Sequence, residues 1–136
     1  MIGLDTNVLL RWLVQDDILG GDAPHQVELV RELVERAEET LFVNQIVIVE
    51  IIWVLRSKAG LDKEAVVQLV TRLLLAVKTI VQDRDLLLAA LVSYSRYPGD
   101  FSDHLIGEIN KHNGCRTTLT FDRAAAKSPN FSALQR

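Results

Sequence analysis

The sequence lacks the features that mark secreted and membrane-bound proteins. Cys115 is its only cysteine, so no internal disulfide can form, and a reducing cytoplasm is the simplest expected compartment. The first residues, MIGLDTN, contain no basic region and soon reach an acid, so we do not expect a signal peptide. Apolar stretches end well before the roughly 20 residues that a membrane span requires. We therefore expect a cytoplasmic protein with no membrane partner.

An excess of basic residues is also absent. The 136 residues include 15 Lys and Arg against 18 Asp and Glu, which gives a formal net charge of -3. This balance provides no general attraction to nucleic acid, so a polyanionic substrate would need a local basic patch or bound cations. We find no repeat, linker or low-complexity tract. A chain of this length with 49% apolar residues suits a single domain, 1–136, around one core.

Short apolar segments alternate with longer periodic ones along the chain. The predicted strands are Met1–Leu4, Leu41–Val43, Thr79–Val81 and Thr117–Leu119. The predicted helices are Thr6–Leu13, Pro24–Glu38, Gln45–Ala59, Lys63–Ala76, Arg84–Tyr97 and Phe101–Asn113, with a short helix near Arg123–Lys127. A loop is predicted over Gln15–Ala23, and no pattern assigns 128–136. The alternation predicts an α/β fold with a parallel sheet and helices on both of its faces.

Glu50 interrupts an otherwise apolar run, IVIVEIIWVL, over Ile46–Leu55. The β-branched residues of this run favour a strand, but its length and the following Arg56, Lys58 and Gly60 predict a helix. We expect this helix to be buried. An ionised carboxylate in that setting is strongly destabilising unless it is paired or bound to a cation, and the run contains no Lys or Arg. If other acids converge on Glu50, a metal ion is its natural partner.

Three further acids lie where the predicted topology could bring them to one edge of the sheet. Asp5 and Asp122 follow the first and last predicted strands, and Asp103 lies in the first turn of the helix before the last strand. Each has a local alternative as a helix cap or a first-turn acid, and Asp100 is better explained as a cap. Mg²⁺ and Mn²⁺ prefer carboxylate and water oxygens. The candidate catalytic and metal-binding residues are Asp5, Glu50, Asp103 and Asp122.

Four segments in this order resemble the PIN-domain ribonucleases, most closely the VapC-type toxins of toxin–antitoxin pairs. They are GLDTNVLLRWL, VIVEIIWVLRS, DFSDHLIGEI and TLTFDR, and the resemblance extends from Ile2 to about Asp122. It implies a three-layer α/β/α fold with a parallel sheet of four or five strands. It also implies hydrolysis of RNA with Mg²⁺ or Mn²⁺, leaving a 5′-phosphate and a 3′-hydroxyl. The dipeptide Asn44-Gln45 departs from the pattern, which favours a small or apolar residue there.

The resemblance also implies roles for neighbouring residues and partners. The four acids match the family's acid positions, and the residues expected to support them are Thr6, Asn7, Asp100 and Thr120. A cognate antitoxin and a second copy of the chain are the expected protein partners, and RNA is the expected substrate. Candidates for contacts to the RNA backbone are Arg11, Arg84, Arg96, Arg116 and Arg123, although isolated arginines commonly just solvate a surface.

Other interpretations of the sequence remain open. A metal-free ribonuclease would need two of His25, His104 and His112 as acid and base, but His25 and His112 are expected at the surface. A phosphatase of the haloacid-dehalogenase type needs a second Asp where Asn7 stands. A phospho-receiver domain needs an acid pair before the first helix and an Asp on a middle strand, and the match is poor. A further alternative is a PIN-fold binding module that is catalytically idle or takes part in RNA processing. A titration with Mg²⁺ or Mn²⁺ would distinguish an idle module, and an antitoxin reading frame upstream would distinguish a toxin from an RNA-processing protein.

Overall fold

The computed structural model describes residues 1–14, 23–36 and 38–135. Most of the predicted loop over Gln15–Ala23 lies outside these residues. The chain folds into two compact units, Met1–Gln82 and Asp83–Arg136. Within the described ranges, no helix has the length and apolar character that crossing a membrane would take. The single-domain organisation stays a prediction.

In its described residues, 1–14, 23–36 and 38–82, the first unit combines three parallel strands with four α-helices. Its elements are β1 (Ile2–Gly3), α1 (Thr6–Leu13), α2 (Ala23–Arg36), β2 (Leu41–Val43), α3 (Gln45–Ser57), α4 (Lys63–Leu74) and β3 (Thr79–Val81). The strand order is β1-β2-β3, and Leu41 of the central strand lies opposite Ile2 on one side and Thr79 on the other. The carboxyl ends of β1 and β2 therefore point the same way, and each is followed directly by a helix.

Side-chain caps start three helices of this unit. Asp5 accepts a hydrogen bond of 3.0 Å from the amide of Val8 at the start of α1. Asn44 accepts one of 2.9 Å from Val47 and starts α3. Asp62 does the same for α4, with 2.8 Å to the amide of Ala65. A cap of this kind stabilises a helix by about 1 kcal/mol relative to Ala. The capping bond accounts for the asparagine that departs from the family pattern.

The core of the first unit centres on α3, which contacts both α1 and α4. One face of α3 is buried, and the residues on it are Val47, Ile48, Ile51, Ile52 and Leu55. Fully buried partners on the neighbouring helices include Leu9, Val66, Val70 and Leu74. Burying an aliphatic side chain of this size stabilises the fold by about 1.5–3 kcal/mol, so this packing determines which face of α3 is left to solvent.

The second unit is built from two long helices and a two-stranded parallel sheet. Its elements are α5 (Arg84–Arg96), α6 (Phe101–His112), β4 (Thr118–Thr120), a 3₁₀ helix (Ala125–Lys127) and β5 (Phe131–Ala133). Helix α5 packs against α6, and Thr118 of β4 lies opposite Phe131 of β5. The ring of Tyr94 meets that of Phe101 edge to face, with centroids 5.9 Å apart.

A glycine allows β5 to lie close to α6. A Cβ atom on Gly107, in the middle of α6, would lie 2.7 Å from Cε2 of the Phe131 ring. Both residues are buried. The absence of a side chain at Gly107 therefore makes the space that the Phe131 ring occupies, although glycine weakens the interior of a helix.

The predicted α/β fold with parallel strands is confirmed, with corrections. The expected sheet of four or five strands is represented by five short strands, which in the described residues pair as three and two. Strand β1 has only 2 residues and therefore offers few backbone groups for further pairing. Strand β4 lies one residue later than predicted, and the predicted helix at Arg123–Lys127 is a 3₁₀ turn. Strand β5 lies in the segment that the sequence pattern left unassigned.

Candidate functional site

Asp5, Thr6 and Glu50 connect the start of α1 to the middle of α3. The Oγ1 hydroxyl of Thr6 donates a hydrogen bond of 2.7 Å to Oε2 of Glu50. Asp5 directly precedes Thr6, and its Oδ1 atom accepts the capping bond from Val8. The first turn of α1 therefore presents one carboxylate itself and binds a second through a hydroxyl.

Glu50 is exposed, so the expectation that it is buried is wrong. The reason is the orientation of α3. The helix has apolar residues on both its inward and its outward face, and only the inward face is buried. Ile46 and Trp53 share the outward face with Glu50 and are 68% and 61% exposed. An exposed carboxylate keeps its hydration, so the desolvation argument for a cation at Glu50 does not hold. A role for Glu50 has to rest on its neighbours instead.

The acids of the second unit lie in local turn and cap structures. Asp103 accepts a hydrogen bond of 3.1 Å from the amide of Asp100, the residue at the N-cap of α6. Oδ1 of Asp122 accepts bonds from the two amides at residues 124 and 125, at 2.8 and 3.3 Å. The amide of Asp122 itself donates to Oγ1 of Thr120 at 3.0 Å. These bonds determine where the two carboxylates lie within their own turns.

The turn before α6 is closely packed around a glycine. Gly99 has a φ of +113°, and a Cβ there would lie 3.5 Å from Nε2 of His104 and 3.6 Å from Oδ2 of Asp103. The ring of His104 is 1% exposed, and its Nε2 lies 3.1 Å from the carbonyl oxygen of Pro98. A histidine buried in this way cannot serve a solvent-borne RNA as a surface acid or base. His25, in the first unit, is exposed, as expected.

The four acids supply the right donor atoms for a divalent cation. Carboxylate oxygens are hard ligands, and in the hydrogen bonds described for Asp5, Glu50, Asp103 and Asp122 each side chain uses only one of its two oxygens. Across residues 1–14, 23–36 and 38–135, however, no three or more His, Cys, Asp or Glu side chains form a group that could hold a metal ion. The four-acid site stays a prediction.

A groove between α1 and α2 lies beside Asp5 and was not foreseen from the sequence. It has a cavity volume of about 390 Å³, and its lining residues are Asp5, Asn7, Val8, Arg11, Gln26, Leu29, Val30 and Leu33. The Arg11 guanidinium donates to the carbonyl oxygen of Asn7 at 3.2 Å and to the side-chain oxygen of Gln26. Leu29 is 54% exposed, so it adds an apolar side chain to the surface of α2, and the sequence pattern does not indicate that exposure.

Trp53 was likewise not predicted from the sequence as a residue of the site. It lies one helical turn after Glu50 on the outward face of α3, and the Lys58 ammonium lies 5.9 Å from its ring centroid. The available signal was spacing, because residues three and four apart share a helix face. Once Glu50 is on the solvent side, Trp53 must be there too.

A comparison with known protein families gives a match over most of the chain. A family model described as a PIN domain matches residues 2–129, which includes parts of both units. No curated protein matches the chain significantly.

Proposed function

Because the chain belongs to the PIN domain family, we propose that it is a metal-dependent endoribonuclease acting as the toxin of a toxin–antitoxin pair. PIN domains are generally nucleases and typically use divalent metal ions. The observation that carries the proposal is the 2.7 Å hydrogen bond from Thr6 to Glu50. It attaches one proposed catalytic carboxylate to the turn that begins with another, Asp5.

The proposed ligands of Mg²⁺ or Mn²⁺ are Asp5, Glu50, Asp103 and Asp122. Their carboxylate oxygens match the preference of these ions, and the exposure of Asp5, Glu50 and Asp122 leaves them accessible to a cation and to RNA. When bound, such an ion lowers the pKa of its water and neutralises charge on the phosphodiester. This chemistry accounts for an RNA-cleaving protein whose own net charge is -3.

The surrounding residues position these carboxylates. Thr6 donates to Glu50 and so restricts the rotamers of a side chain that would otherwise move freely in solvent. Thr120 accepts from the amide of Asp122 and so supports the turn that presents it. Asp100 holds Asp103 through its backbone amide. Asn7 lies exposed beside the proposed site at the groove.

The sharpest test compares Asp5→Asn with Asp62→Asn. Both aspartates are exposed N-caps in the first unit, and an asparagine oxygen can accept the same amide hydrogen bond. Only Asp5→Asn removes a proposed ligand. We expect the wild-type protein and Asp62→Asn to cleave RNA in the presence of Mg²⁺ or Mn²⁺, and we expect this cleavage to stop when EDTA is added. We expect Asp5→Asn to be slower by roughly 100-fold or more.

Thermal melting with increasing Mg²⁺ or Mn²⁺ tests metal binding without cleavage. A ligand that binds only the folded state stabilises it as its concentration passes the dissociation constant. The melting temperature of the wild-type protein should therefore rise, and that of Asp5→Asn should rise less. A PIN-fold module that only binds a partner would show neither cleavage nor a response that depends on Asp5, and this result would refute the proposed function.

We propose further that a cognate antitoxin binds the groove beside Asp5 and that the toxin is a homodimer. The lining of the groove includes the apolar side chains of Leu29 and Leu33 as well as Asp5, so a protein segment bound there would also restrict access to the acid. A small reading frame encoding a DNA-binding protein should lie just upstream. Its product should inhibit cleavage, and Leu29→Asp should weaken that inhibition. Light scattering of the free protein tests the dimer.

A further inference from the structure

The outward face of α3 carries more than Glu50. Ile46, Glu50, Trp53 and Ser57 follow one another at helical spacing, and all but Ile46 lie beyond the first turn. The Trp53 side chain is 61% exposed. Trp53 is three positions after Glu50 in the chain, which corresponds to a rise of about 4.5 Å along the helix axis. A large aromatic surface is thus presented to solvent within one turn of a proposed catalytic acid.

Basic side chains lie near the C-terminal end of α3, close to Trp53 in the chain. The Lys58 ammonium lies 5.9 Å from the centroid of the Trp53 ring. The Arg56 guanidinium donates a hydrogen bond of 3.0 Å to the carbonyl oxygen of Leu61, which restrains it at the helix end. Burial, together with the nearby charge of Arg56, lowers the pKa of Lys63 at the start of α4. Arg56 and Lys63 are therefore near neighbours, and Lys58, two residues after Arg56, adds a further cation beside the Trp53 ring.

We propose that Trp53 is a stacking platform for an unpaired base of the RNA substrate, with Arg56 and Lys58 contacting the adjoining phosphates. This inference rests on the proposed ribonuclease function, because it places the stacked base next to Glu50. Proteins that bind single strands combine an aromatic side chain, on which a base stacks, with cations along the backbone path. Only an unpaired base exposes the face that an indole can cover, so the surface selects single-stranded RNA.

A second copy of the chain is a less suitable occupant of this face. The cores of protein interfaces are depleted in charged residues, whereas here Glu50 lies between Ile46 and Trp53, and Lys58 lies against the indole. An RNA strand, in contrast, uses the cations for its phosphates and the indole for a base. The charges on this face therefore favour RNA.

Binding is measured in the Asp5→Asn background, so that the probe is not cleaved. The probe is a fluorescein-labelled single-stranded RNA of roughly 12 nucleotides, compared by anisotropy with the duplex of the same sequence. Trp53→Ala should weaken single-strand binding by about 5- to 160-fold, the range for the loss of one stacked base, and weaken duplex binding much less. Trp53→Phe keeps an aromatic face and should recover most of the affinity.

Ile46→Ala is the matched control. It shortens an apolar side chain on the same outward face of α3. Ile46 is 68% exposed, and its aliphatic side chain cannot stack on a base. It should leave RNA affinity unchanged. Lys58→Gln should weaken binding, and the slope of log affinity against log salt concentration should become shallower by about 0.7 for each phosphate that the protein no longer neutralises. Circular dichroism checks the fold of each variant, and light scattering checks its oligomeric state.

The outcomes separate this inference from the proposed function. Equal affinities of Trp53→Ala and its parent, or equally weakened binding in Trp53→Ala and Ile46→Ala, would overturn the stacking platform even if the wild-type protein cleaves RNA. A change from dimer to monomer in Trp53→Ala alone would overturn it in favour of an interface between copies. Single-strand binding that depends on Trp53, together with no RNA cleavage by the wild-type protein, would refute the ribonuclease proposal and leave Trp53 as a stacking site for RNA that the protein binds without cleaving.

Discussion

The hydroxyl of Thr6 donates a 2.7 Å hydrogen bond to Oε2 of Glu50, a residue 44 positions away in the chain. The bond joins the first turn of α1 to the outward face of α3. Glu50 is exposed, so packing does not hold its side chain in one position. In the part of the chain that the structure describes, the Thr6 hydroxyl is the hydrogen-bond donor that orients this carboxylate.

Thr6→Val removes that donor while keeping a β-branched side chain of similar shape. We expect RNA cleavage to fall by about 10- to 100-fold, the usual effect of losing a residue that orients a metal ligand. Stability should fall by only about 1 kcal/mol or less, because the bond is exposed. Initial cleavage rates and denaturant unfolding measure the two effects. Thr6→Ser, which keeps the hydroxyl, should stay near wild type, and a wild-type rate in Thr6→Val would refute the role.

Asp5 has a structural role that can be separated from its proposed catalytic one. Asp5→Ala removes both the charge and the oxygen that accepts from the Val8 amide, whereas Asp5→Asn removes only the charge. We expect Asp5→Ala to lose about 0.5–2 kcal/mol of unfolding free energy, and Asp5→Asn to lose less. Urea denaturation measures this difference, while both variants should cleave RNA more slowly than wild type by roughly 100-fold or more. Equal stability of the two variants would show that the capping bond contributes little.

Gly107→Ala should destabilise the second unit. The new methyl group would lie 2.7 Å from the buried ring of Phe131, so the ring or the strand must shift. Overpacking of this kind costs about 1–3 kcal/mol and outweighs the helix preference of Ala over Gly, about 1 kcal/mol. Thermal unfolding measures this loss of stability.

The control for this change is Gly3→Ala, where a Cβ meets no atom within 4 Å. A second check is Phe131→Leu in the Gly107→Ala background, because the smaller side chain makes room for the methyl group. If Gly107→Ala is no less stable than Gly3→Ala, the close contact does not constrain the fold.

The pKa of Lys63 lies below its ordinary value of 10.5, first because of burial and second because of the charge of Arg56. Arg56→Gln should therefore raise this pKa only in part, since burial remains. An NMR titration of the Lys63 side chain measures the change. Arg72→Gln, at the far end of α4, is the matched control and should have a smaller effect.

The same shift predicts a pH dependence of stability. Between the lowered pKa in the folded state and the ordinary value, the unfolded chain binds more protons at Lys63 than the folded one. The contribution of Lys63 to unfolding free energy therefore rises with pH across that interval. Lys63→Gln should abolish this component of the rise. An unchanged slope between the folded-state pKa and 10.5 would contradict it.

Several features could be predicted because they depend on neighbouring residues in the chain. Asp62 precedes a periodic segment and caps α4, and the Pro98-Gly99 pair follows the end of α5 at Arg96. The alternation of short apolar and periodic segments predicted the α/β class. Strand β5 could not be predicted, because its segment is short and its pairing depends on β4.

The candidate site shows the same division between local and long-range information. The residue types and spacing in the sequence were enough to indicate the family and to single out Asp5, Glu50, Asp103 and Asp122. The exposure of Glu50 could not be read from an apolar run, since it depends on which face of α3 packs against α1 and α4. Caps and turns involve a few adjacent residues, so the local sequence determines them. The burial of a helix face and the bond between Thr6 and Glu50 join distant segments, so only the tertiary structure decides them.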